Sequence, residues 1–256
     1  MLSPQIVKRS VVFFAYVVFF VLLGFGIYYL STPGATCSDG KKNQSEKGVD
    51  CGGSCSPCKA KFDGKDLTIQ EKTFVSGGNN TYDVVIRILN PNDLFGASSF
   101  HYVITLKDAL GKVLSTREGD DYILPADSKY IAQLGLETAN SMLPTQIDFS
   151  ITDVKWSQLD STEKPRLNVY NKKFGPSVDG TGNRAEGLVS NEGVNDFKKV
   201  NVVVVLRDEN GDVLGVSTTQ EDNLRAKKEI GFVLTWPYAF QKTVQSMEVD
   251  AQANIF

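Results

Sequence analysis

The four cysteines of this sequence are the residues best suited to chemistry, and they stand close together. They are Cys37, Cys51, Cys55 and Cys58. In an oxidising compartment an even cluster of this kind predicts two disulfides, and the spacing leaves three pairings open. The segment has almost no apolar side chains, so cross-links must substitute for a hydrophobic core. We therefore expect a small disulfide-bonded collar.

Two other interpretations of the cysteines predict different chemistry. Four thiolates can bind zinc, but structural zinc sites usually contain two matched close pairs, and Cys37 stands alone. Cys55 and Cys58 also form a C-x-x-C pair, which suits thiol–disulfide exchange when it begins a helix after a strand. The sequence predicts no such strand and helix here, so we favour permanent disulfides.

Oxygen-bearing side chains within the same segment suggest calcium. Asp39, Asn43, Glu46 and Asp50 recur every three or four residues, near the turn-forming Gly40 and Gly48. Calcium takes six to eight oxygen ligands, and backbone carbonyls can complete such a shell. The same spacing is typical of a solvated loop. Calcium is thus the one cofactor that the sequence suggests, and it is compatible with the disulfides.

The rest of the chain lacks the patterns of an enzyme. His101 is the only histidine, and it lies within an alternating strand pattern. The sequence contains no H-E-x-x-H, P-loop or G-x-S-x-G element. Its 27 basic and 30 acidic residues form no patch dense enough to indicate nucleic acid. We predict a protein that is not an enzyme and has no nucleic-acid partner.

Two loop segments carry aromatic residues that suit binding. Leu94 and Phe95 lie in a polar loop, and an exposed pair of this kind can anchor a partner. Trp236 and Tyr238 precede the last predicted strand and can stack on a sugar. For both pairs we favour the alternative that they close the end of a hydrophobic core. They are the candidate binding residues.

An uncharged apolar run occupies residues 11–30, and it matches the roughly 20 residues that cross a bilayer as a helix. A cleaved signal peptide is the alternative, but its apolar core is shorter, about 7–15 residues. Lys8 and Arg9 precede the run, and the next basic residue is Lys41. The positive-inside rule then places residues 1–10 in the cytoplasm and the bulk of the chain outside. We predict an uncleaved signal anchor in the cell membrane.

The remaining sequence repeats at a distance of 100 residues. Leu106, Asp108 and Gly111 recur as Leu206, Asp208 and Gly211, and further matches occur at the same offset. They are Val113-Leu114 with Val213-Leu214, Leu124 with Leu224, Leu134 with Leu234, Ile147, Phe149 and Ile151 with Met247, Val249 and Ala251, and Asn90 with Asn191 one residue out of register. A period of this length indicates two whole domains.

Each copy has the pattern of a β-sandwich. Phe100, Tyr102, Ile104 and Leu106 alternate with other residues, whereas residues 202–206 form an apolar run typical of a central strand buried on both faces. About seven short strands per copy predict an immunoglobulin-like sandwich. The expected fold is all-β: a disulfide-rich module and linker (31–65) and two tandem sandwiches (66–160 and 161–256) behind one transmembrane helix.

Two resemblances accompany these patterns. The cysteine segment resembles a short module of surface and secreted proteins, with the pattern C-x-D-G-x-x-N-x-x-E-x-G-x-D-C-G-G-x-C-x-x-C. Each sandwich copy resembles the FxLYD family of extracytoplasmic β-sandwich domains at its Leu-x-Asp, glycine and Val-Leu positions. Ile104 and Val204 replace the family's Phe, and Lys107 and Arg207 replace its Tyr. The resemblances imply the fold and an extracytoplasmic location.

These observations together predict a membrane-anchored, extracytoplasmic protein that presents two immunoglobulin-like domains to a protein partner at the cell surface. Adhesion or envelope assembly would be its role. A glycan- or solute-binding module is the alternative that depends on the aromatic loops. A thiol–disulfide enzyme depends on Cys55 and Cys58 alone. The oligomeric state is not predicted.

Overall fold

The structure is a computed structural model that describes residues 4–31, 36–43, 45–58, 62–138, 142–159, 164–177 and 180–256. The chain divides into two compact units, Met1–Ala60 and Lys61–Phe256. The first contains the apolar helix and the cysteines, and the second contains all twelve strands. Residues 160–163, at the predicted boundary between the two sandwiches, lie outside the described residues.

Helix α1 runs from Pro4 to Ser31. Its segment Arg9–Tyr28 has a mean hydropathy of 2.6, and none of it is buried against other parts of its unit. Within the described ranges this is the one helix long and apolar enough to cross a membrane. An N-terminal helix of this kind is a membrane anchor or a signal peptide. Its orientation stays a prediction.

The second unit consists of two β-sandwiches, here called sandwich 1 and sandwich 2. Sandwich 1 contains β1 (Thr68–Gly78), β2 (Thr81–Asn90), β3 (Phe95–Lys107), β4 (Val113–Ile123), β5 (Asp127–Glu137) and β6 (Gln146–Gln158). Sandwich 2 contains β7 (Leu167–Pro176), β8 (Asn183–Asn191), β9 (Phe197–Arg207), β10 (Val213–Leu224), β11 (Glu229–Trp236) and β12 (Ser246–Gln252). The described residues thus form six strands per sandwich, not about seven.

Both sandwiches have the same strand order. Sandwich 1 packs a β1-β2-β5 sheet on a β4-β3-β6 sheet, and sandwich 2 packs β7-β8-β11 on β10-β9-β12. All pairings are antiparallel. The predicted all-β fold of two sandwiches behind one helix is confirmed.

The sequence pattern of the central strands agrees with their burial. Phe100, Tyr102, Ile104 and Leu106 point into the core of sandwich 1, and His101 lies on the opposite face. Every residue from Val202 to Leu206 is buried, which confirms a strand covered on both faces. One face of β9 packs in the core of sandwich 2, and its other face packs against sandwich 1.

The repeated Leu-x-Asp…Gly pattern is explained by one turn that occurs twice. Asp108 Oδ1 accepts hydrogen bonds from the backbone N–H of Leu110 and Lys112, both at 2.9 Å. Asp208 Oδ1 does the same for Asn210 and Asp212, also at 2.9 Å. An aspartate that bonds to its own following backbone stabilises a turn. The turn therefore depends on the Asp side chain and not on the Asn-Gly pair that only the second copy has.

The match between Leu134 and Leu234 is wrong in structural terms. Leu234 is buried, but Leu134 is 37% exposed, and the core position of β5 belongs to Leu136. The register of β2 with β5 shifts between Tyr82 and Val84, so that two residues of β5 are left without partners. A β-bulge of this kind moves the following side chains to the other face.

A buried asparagine closes the end of each sandwich. The Asn90 side chain donates to the carbonyl oxygens of Phe95 (2.7 Å) and Leu124 (2.9 Å), and its Oδ1 accepts from the backbone N–H of Asn92 (3.1 Å). The Asn191 side chain donates to Asn195 O and accepts from Gly193 N–H. Both asparagines are fully buried. They satisfy loop backbone groups that water cannot reach.

We predict that Asn90→Ala lowers the free energy of unfolding by about 3 kcal/mol, because it leaves several buried backbone groups without partners. Urea unfolding of the full chain in detergent, followed by intrinsic fluorescence, measures the change. The matched control is Asn201→Ala on an exposed strand position, for which a change within about 0.5 kcal/mol is expected. Equal losses for both variants would contradict the assigned role of Asn90.

Candidate functional site

The cysteines form two disulfides, Cys37–Cys55 and Cys51–Cys58, and none is free. The predicted disulfides are confirmed, and the pairing that the spacing left open is crossed. Cys55 and Cys58 belong to different disulfides, so the C-x-x-C pair cannot act as one redox couple. With all four sulfurs oxidised, the zinc alternative is wrong as well, since zinc requires thiolates.

Cys37 Sγ, Glu46 and Cys55 Sγ offer ligand atoms within 4.8 Å of one another, and they are the one such trio among the described residues. Both sulfurs of this trio are joined in the same disulfide. Glu46 remains as its only strong metal ligand, and it is buried. The trio is therefore a poor metal site.

The four predicted calcium ligands all make hydrogen bonds inside the module. Asp50 accepts from the backbone N–H of Asp39 and Gly40 at 2.9 Å. Glu46 Oε2 accepts from the N–H of Asn43 and Asp50 at 3.2 Å. The Asn43 side chain donates to Asp39 Oδ2, and this bond is the main cause that lowers the pKa of Asp39. These side chains satisfy the backbone of a segment without a core, and calcium binding stays a prediction.

The glycines of the module pattern have a steric reason. Gly52 and Gly53 both have positive φ, 79° and 64°. A Cβ on Gly53 would lie 2.1 Å from Ser45 O. Only glycine allows the chain to turn this close to itself before Cys55. The pattern thus describes a compact cross-linked turn, and it implies no particular ligand.

Of the predicted binding pair Leu94 and Phe95, only Leu94 is accessible. Leu94 is 57% exposed, but Phe95 is buried. The Phe95 ring meets the Phe62 ring edge-on at 5.5 Å, and Phe62 stacks on Trp156 at 4.0 Å. Phe95 therefore closes the end of sandwich 1, and Leu94 alone remains as a surface residue.

The second predicted pair serves packing between strands and sandwiches. Trp236 is buried, its Nε1–H donates to Val216 O at 3.2 Å, and its ring packs on Phe174 and Phe240. It presents no free face to a sugar. The Tyr238 hydroxyl donates to Ser76 O of sandwich 1 at 3.2 Å. Burial, with a smaller effect from Asp83, raises the pKa of Tyr238 to about 12, so it stays a donor at neutral pH.

The structure instead brings together a set of residues at the junction of the sandwiches. The outer face of the β1-β2-β5 sheet packs on the outer face of the β10-β9-β12 sheet. Val85 and Tyr130 of sandwich 1 and Val203, Val205 and Val216 of sandwich 2 form one buried cluster. The hydrophobic effect holds the two sheets together, at about 25 cal/mol per Å² of apolar surface removed from water.

Arg207 extends this cluster with charged contacts from both sandwiches. Its guanidinium binds Glu71 of sandwich 1 through two parallel contacts of 2.9 and 2.6 Å, and Glu248 of its own sandwich at 2.6 Å. The Tyr130 hydroxyl donates to Glu248 Oε2 at 2.5 Å and accepts from Arg207 at 3.1 Å. A two-contact arginine–carboxylate pair is strong and directional. It fixes the angle between the sheets.

The counterpart of Arg207 in sandwich 1 shows what is special about this position. Lys107 pairs with Asp148 at 2.5 Å. These two residues precede Arg207 and Glu248, which form the equivalent pair in sandwich 2, by one hundred positions each. That pair lies on the free face of the β4-β3-β6 sheet and is more exposed, 28% for Lys107 against 12% for Arg207. The planar guanidinium can reach Glu71 and Glu248 together, which an ammonium does less well.

A second contact between the sandwiches lies at the opposite end of the junction. Ile255 packs on Tyr122, Leu124 and Leu159 of sandwich 1. The Phe256 ring meets the Tyr122 ring edge-on at 6.4 Å. Residues following β12 therefore reach across to sandwich 1, and the two sandwiches are joined at both ends.

The charged groups between these contacts are buried or partly buried. Lys129 is only 4% exposed; it pairs with Asp121, donates to Tyr122 O at 3.0 Å, and lies 3.6 Å from the Tyr122 ring centre. Asp250 of sandwich 2 accepts from the backbone N–H of Tyr130 at 2.9 Å. Burial is the main cause that raises the pKa values of Asp250 and Asp127. The junction thus contains carboxylates that are ionised at a cost.

The sequence carried one usable signal of this junction. Three consecutive apolar residues, Val84 to Ile86, and the run from Val202 to Leu206 show strands without a polar face. Such strands need a cover on each side. The sequence does not say that the two runs cover one another, and neither Arg207 nor Tyr130 stands out by spacing.

Arg207→Met is expected to lower the free energy of unfolding by about 3 kcal/mol, because Glu71 and Glu248 lose their shared partner. Lys107→Met is the matched control, with an expected loss below about 1 kcal/mol for an exposed pair. Urea unfolding of the full chain measures both. A double-mutant cycle with Glu71→Gln should show coupling across the junction, and independent effects would contradict it.

Asp250→Asn is expected to stabilise the chain near neutral pH. The native pKa of Asp250 lies above its unfolded value, so its contribution to stability is greatest below the unfolded pKa and is lost as pH rises through the native pKa. Melting temperatures at about pH 4 and pH 7.5 should show a gain for the variant mainly at the higher pH. Glu248→Gln should instead lower the melting temperature, mainly at the higher pH, because the native pKa of Glu248 is lowered and its carboxylate stabilises the fold when it is ionised. A rise in the melting temperature of Asp250→Asn at about pH 4 only would contradict a raised native pKa for Asp250.

Calcium binding to the module predicts a rise in melting temperature when calcium replaces a chelator. Removal of Asp39 by Asp39→Asn should reduce the rise, whereas Asp93→Asn, which lies outside the module, should not. An unchanged melting temperature in wild type at millimolar calcium would end the calcium hypothesis.

Comparisons with known proteins identify no relative by sequence. No family model and no curated protein matches the chain. Among solved structures it is similar to the calcium-binding domain CBD12 of CALX1.1, at 12% identity and a TM-score of 0.21, over 72% of this chain and 80% of that one. CBD12 of CALX1.2 is similar at 13% identity and a TM-score of 0.22, over 71% of this chain and 79% of that one. Red sea bream transglutaminase is similar at 12% identity and a TM-score of 0.22, over 74% of this chain and 29% of that one. Such low scores support no transfer of function.

Proposed function

We propose that this chain is a membrane-anchored, extracytoplasmic, non-enzymatic protein that presents two β-sandwiches in one fixed orientation to a protein partner. The observation that carries the proposal is the junction. The sandwiches are held together at three places: by the buried cluster around Val203, by the Arg207 network and by the Ile255 contacts. A rigid pair of sheets offers a partner a composite surface that neither sandwich has alone.

The location is supported by the helix and the disulfides. A hydrophobic helix near the N-terminus directs a chain to a membrane, as an anchor or as a signal. Disulfides persist in oxidising compartments and are rare in the cytosol. Both features agree with a chain whose strands lie outside the cytoplasm, and Lys8 and Arg9 favour a cytoplasmic N-terminus.

The non-enzymatic role is supported by the surroundings of the only histidine. His101 lies on the free face of the β4-β3-β6 sheet, 3.1 Å from Asp120 and 3.7 Å from Glu118. A triad needs a nucleophile within hydrogen-bond reach of the base. In the described part of the chain the polar contacts of the His101 ring are with these two carboxylates. The arrangement is that of a polar cluster on a sheet surface.

Among the described residues of the second unit, two sheet faces are not covered by another sheet. They are the outer faces of β4-β3-β6 in sandwich 1 and β7-β8-β11 in sandwich 2. Val233 on the second face is 49% exposed. Antiparallel sheets with one solvated face commonly contribute that face or its loops to recognition. These faces are where we expect contact.

The orientation is tested with single introduced cysteines in intact cells. Thr235→Cys should react with a membrane-impermeant maleimide before lysis, and Ser3→Cys only after lysis. Labelling of Ser3→Cys alone in intact cells would reverse the orientation. Labelling of neither before lysis would place the chain inside the cytoplasm.

The partner is tested with a photo-crosslinking amino acid at Val103 or Val233, one on each free face, in full-length protein in native membranes. At least one position should give a discrete protein adduct. The adduct should weaken when Arg207→Met loosens the junction, and the adduct at Val233 should persist in the control Lys107→Met, because Lys107 lies on the other free face. No adduct at either position would refute a partner at these faces, and an adduct insensitive to Arg207→Met would refute the need for a fixed orientation.

A further inference from the structure

A cavity of about 330 Å³ lies between the sandwiches, beside the buried cluster around Val203. Gln133, Tyr102 and Tyr130 line it from sandwich 1, and Asn201, Gln220 and Gln252 line it from sandwich 2. Its volume reaches the lower end of the range of small-molecule sites, and such sites occur preferentially between domains. We propose that this cavity binds a neutral, hydroxyl-rich small molecule of the size of a mono- or disaccharide.

The unused hydrogen-bonding groups of the cavity are carboxamides. In the described parts of the chain, the side chains of Asn201 and Gln220 make no hydrogen bond to another residue. Gln133 uses its Nε2 to reach the Tyr102 hydroxyl at 2.7 Å, and Gln252 uses its Nε2 to reach Asp250 Oδ1 at 2.9 Å. The Oε1 atoms of both glutamines stay available. Carboxamides donate and accept, as hydroxyl groups do, so they suit a polyol.

Each charged side chain of the cavity already has polar partners within the protein, and a neutral ligand leaves these contacts in place. Lys129 is held by Asp121 and by the carbonyl oxygen of Tyr122. Asp250 accepts from the backbone of Tyr130 with one oxygen and from Gln252 with the other. An anion would meet two carboxylates, and a cation would have to compete with Lys129 for Asp121. A neutral ligand disturbs neither pair.

The walls also provide apolar contact. Tyr102, Tyr130 and Val203 are buried for most of their surface, and each presents a small part of its side chain at the cavity wall. The C–H groups of a sugar ring pack well on such surfaces, while its hydroxyls reach the carboxamides. Because the lining comes from both sandwiches, a bound ligand contacts both and should raise the melting temperature of the whole unit. This site is independent of the proposed scaffold role, since it occupies the junction and not the free faces.

The test uses the full chain in phosphatidylcholine nanodiscs, which contain no sugar detergent. Saturation-transfer NMR and calorimetry are run with glucose, mannose, N-acetylglucosamine and maltose, and with the charged sugars glucuronate and glucosamine. At least one neutral sugar should bind saturably and raise the melting temperature. The double variant Asn201→Ala/Gln220→Ala should bind it about tenfold more weakly, as the loss of two hydrogen bonds predicts. Both residues are exposed, so the unliganded melting temperature should not change.

The matched control is Gln245→Ala, an exposed carboxamide outside the cavity, which should bind as wild type does. The proposal is overturned if no neutral sugar binds at millimolar concentration. It is also overturned if the double variant binds as tightly as wild type, or if glucuronate or glucosamine binds as well as the neutral sugars. A negative result here leaves the crosslinking test of the free faces unaffected, so the two proposals fail separately.

Discussion

The burial of β9 on both faces is the constraint on which the second unit depends. A central strand of a solvated antiparallel sheet normally has one polar face, yet Val203 and Val205 are as apolar as the core residues beside them. Exposed, this face would be an aggregation-prone surface. It is stable only under another sheet, and the outer face of β1-β2-β5 is that cover. The two sandwiches are therefore parts of one folding unit, although each has its own core.

Burying two sheet faces also removes water from charged side chains. The desolvation cost of each charge depends on where it lies in the junction. The apolar contact lies near the centre of β9, and Arg207 stands at the strand end, where it meets Glu71 and Glu248 with part of the network still in contact with water. Asp250 and Lys129 lie deeper, each with hydrogen-bond partners. Charged side chains at the rim can form directional contacts between the sheets at a small desolvation cost. Charged side chains deeper in the junction lose more hydration, so they need hydrogen-bond partners within the protein.

Local patterns in the sequence predict several parts of this fold. The alternation in β3, the apolar run of β9, the turns at Asp108 and Asp208 and the even number of cysteines each depend on neighbours in the chain. Features that depend on distant partners are not predictable in this way. The crossed disulfides, the bulge that displaces Leu134, and the burial of Phe95 and Trp236 result from packing. Exposed and buried aromatics near strand ends have the same local pattern, so these two residues appeared equally suited to binding.

The two copies of the sandwich differ most where they face different surroundings. Val103, Thr105 and Lys107 of β3 correspond at an offset of 100 residues to Val203, Val205 and Arg207 of β9. The first set is partly exposed on a free face, and the second is covered. The junction joins unlike sheets, a head-to-tail contact that in principle can continue from copy to copy. The free face of sandwich 1 differs from the covered face of β9 in composition: Thr105 stands where β9 has Val205, and His101, Glu118 and Asp120 form a polar cluster there. Within the described residues the stacked face is thus the apolar one, and its counterpart in sandwich 1 carries the polar side chains of a solvated sheet face.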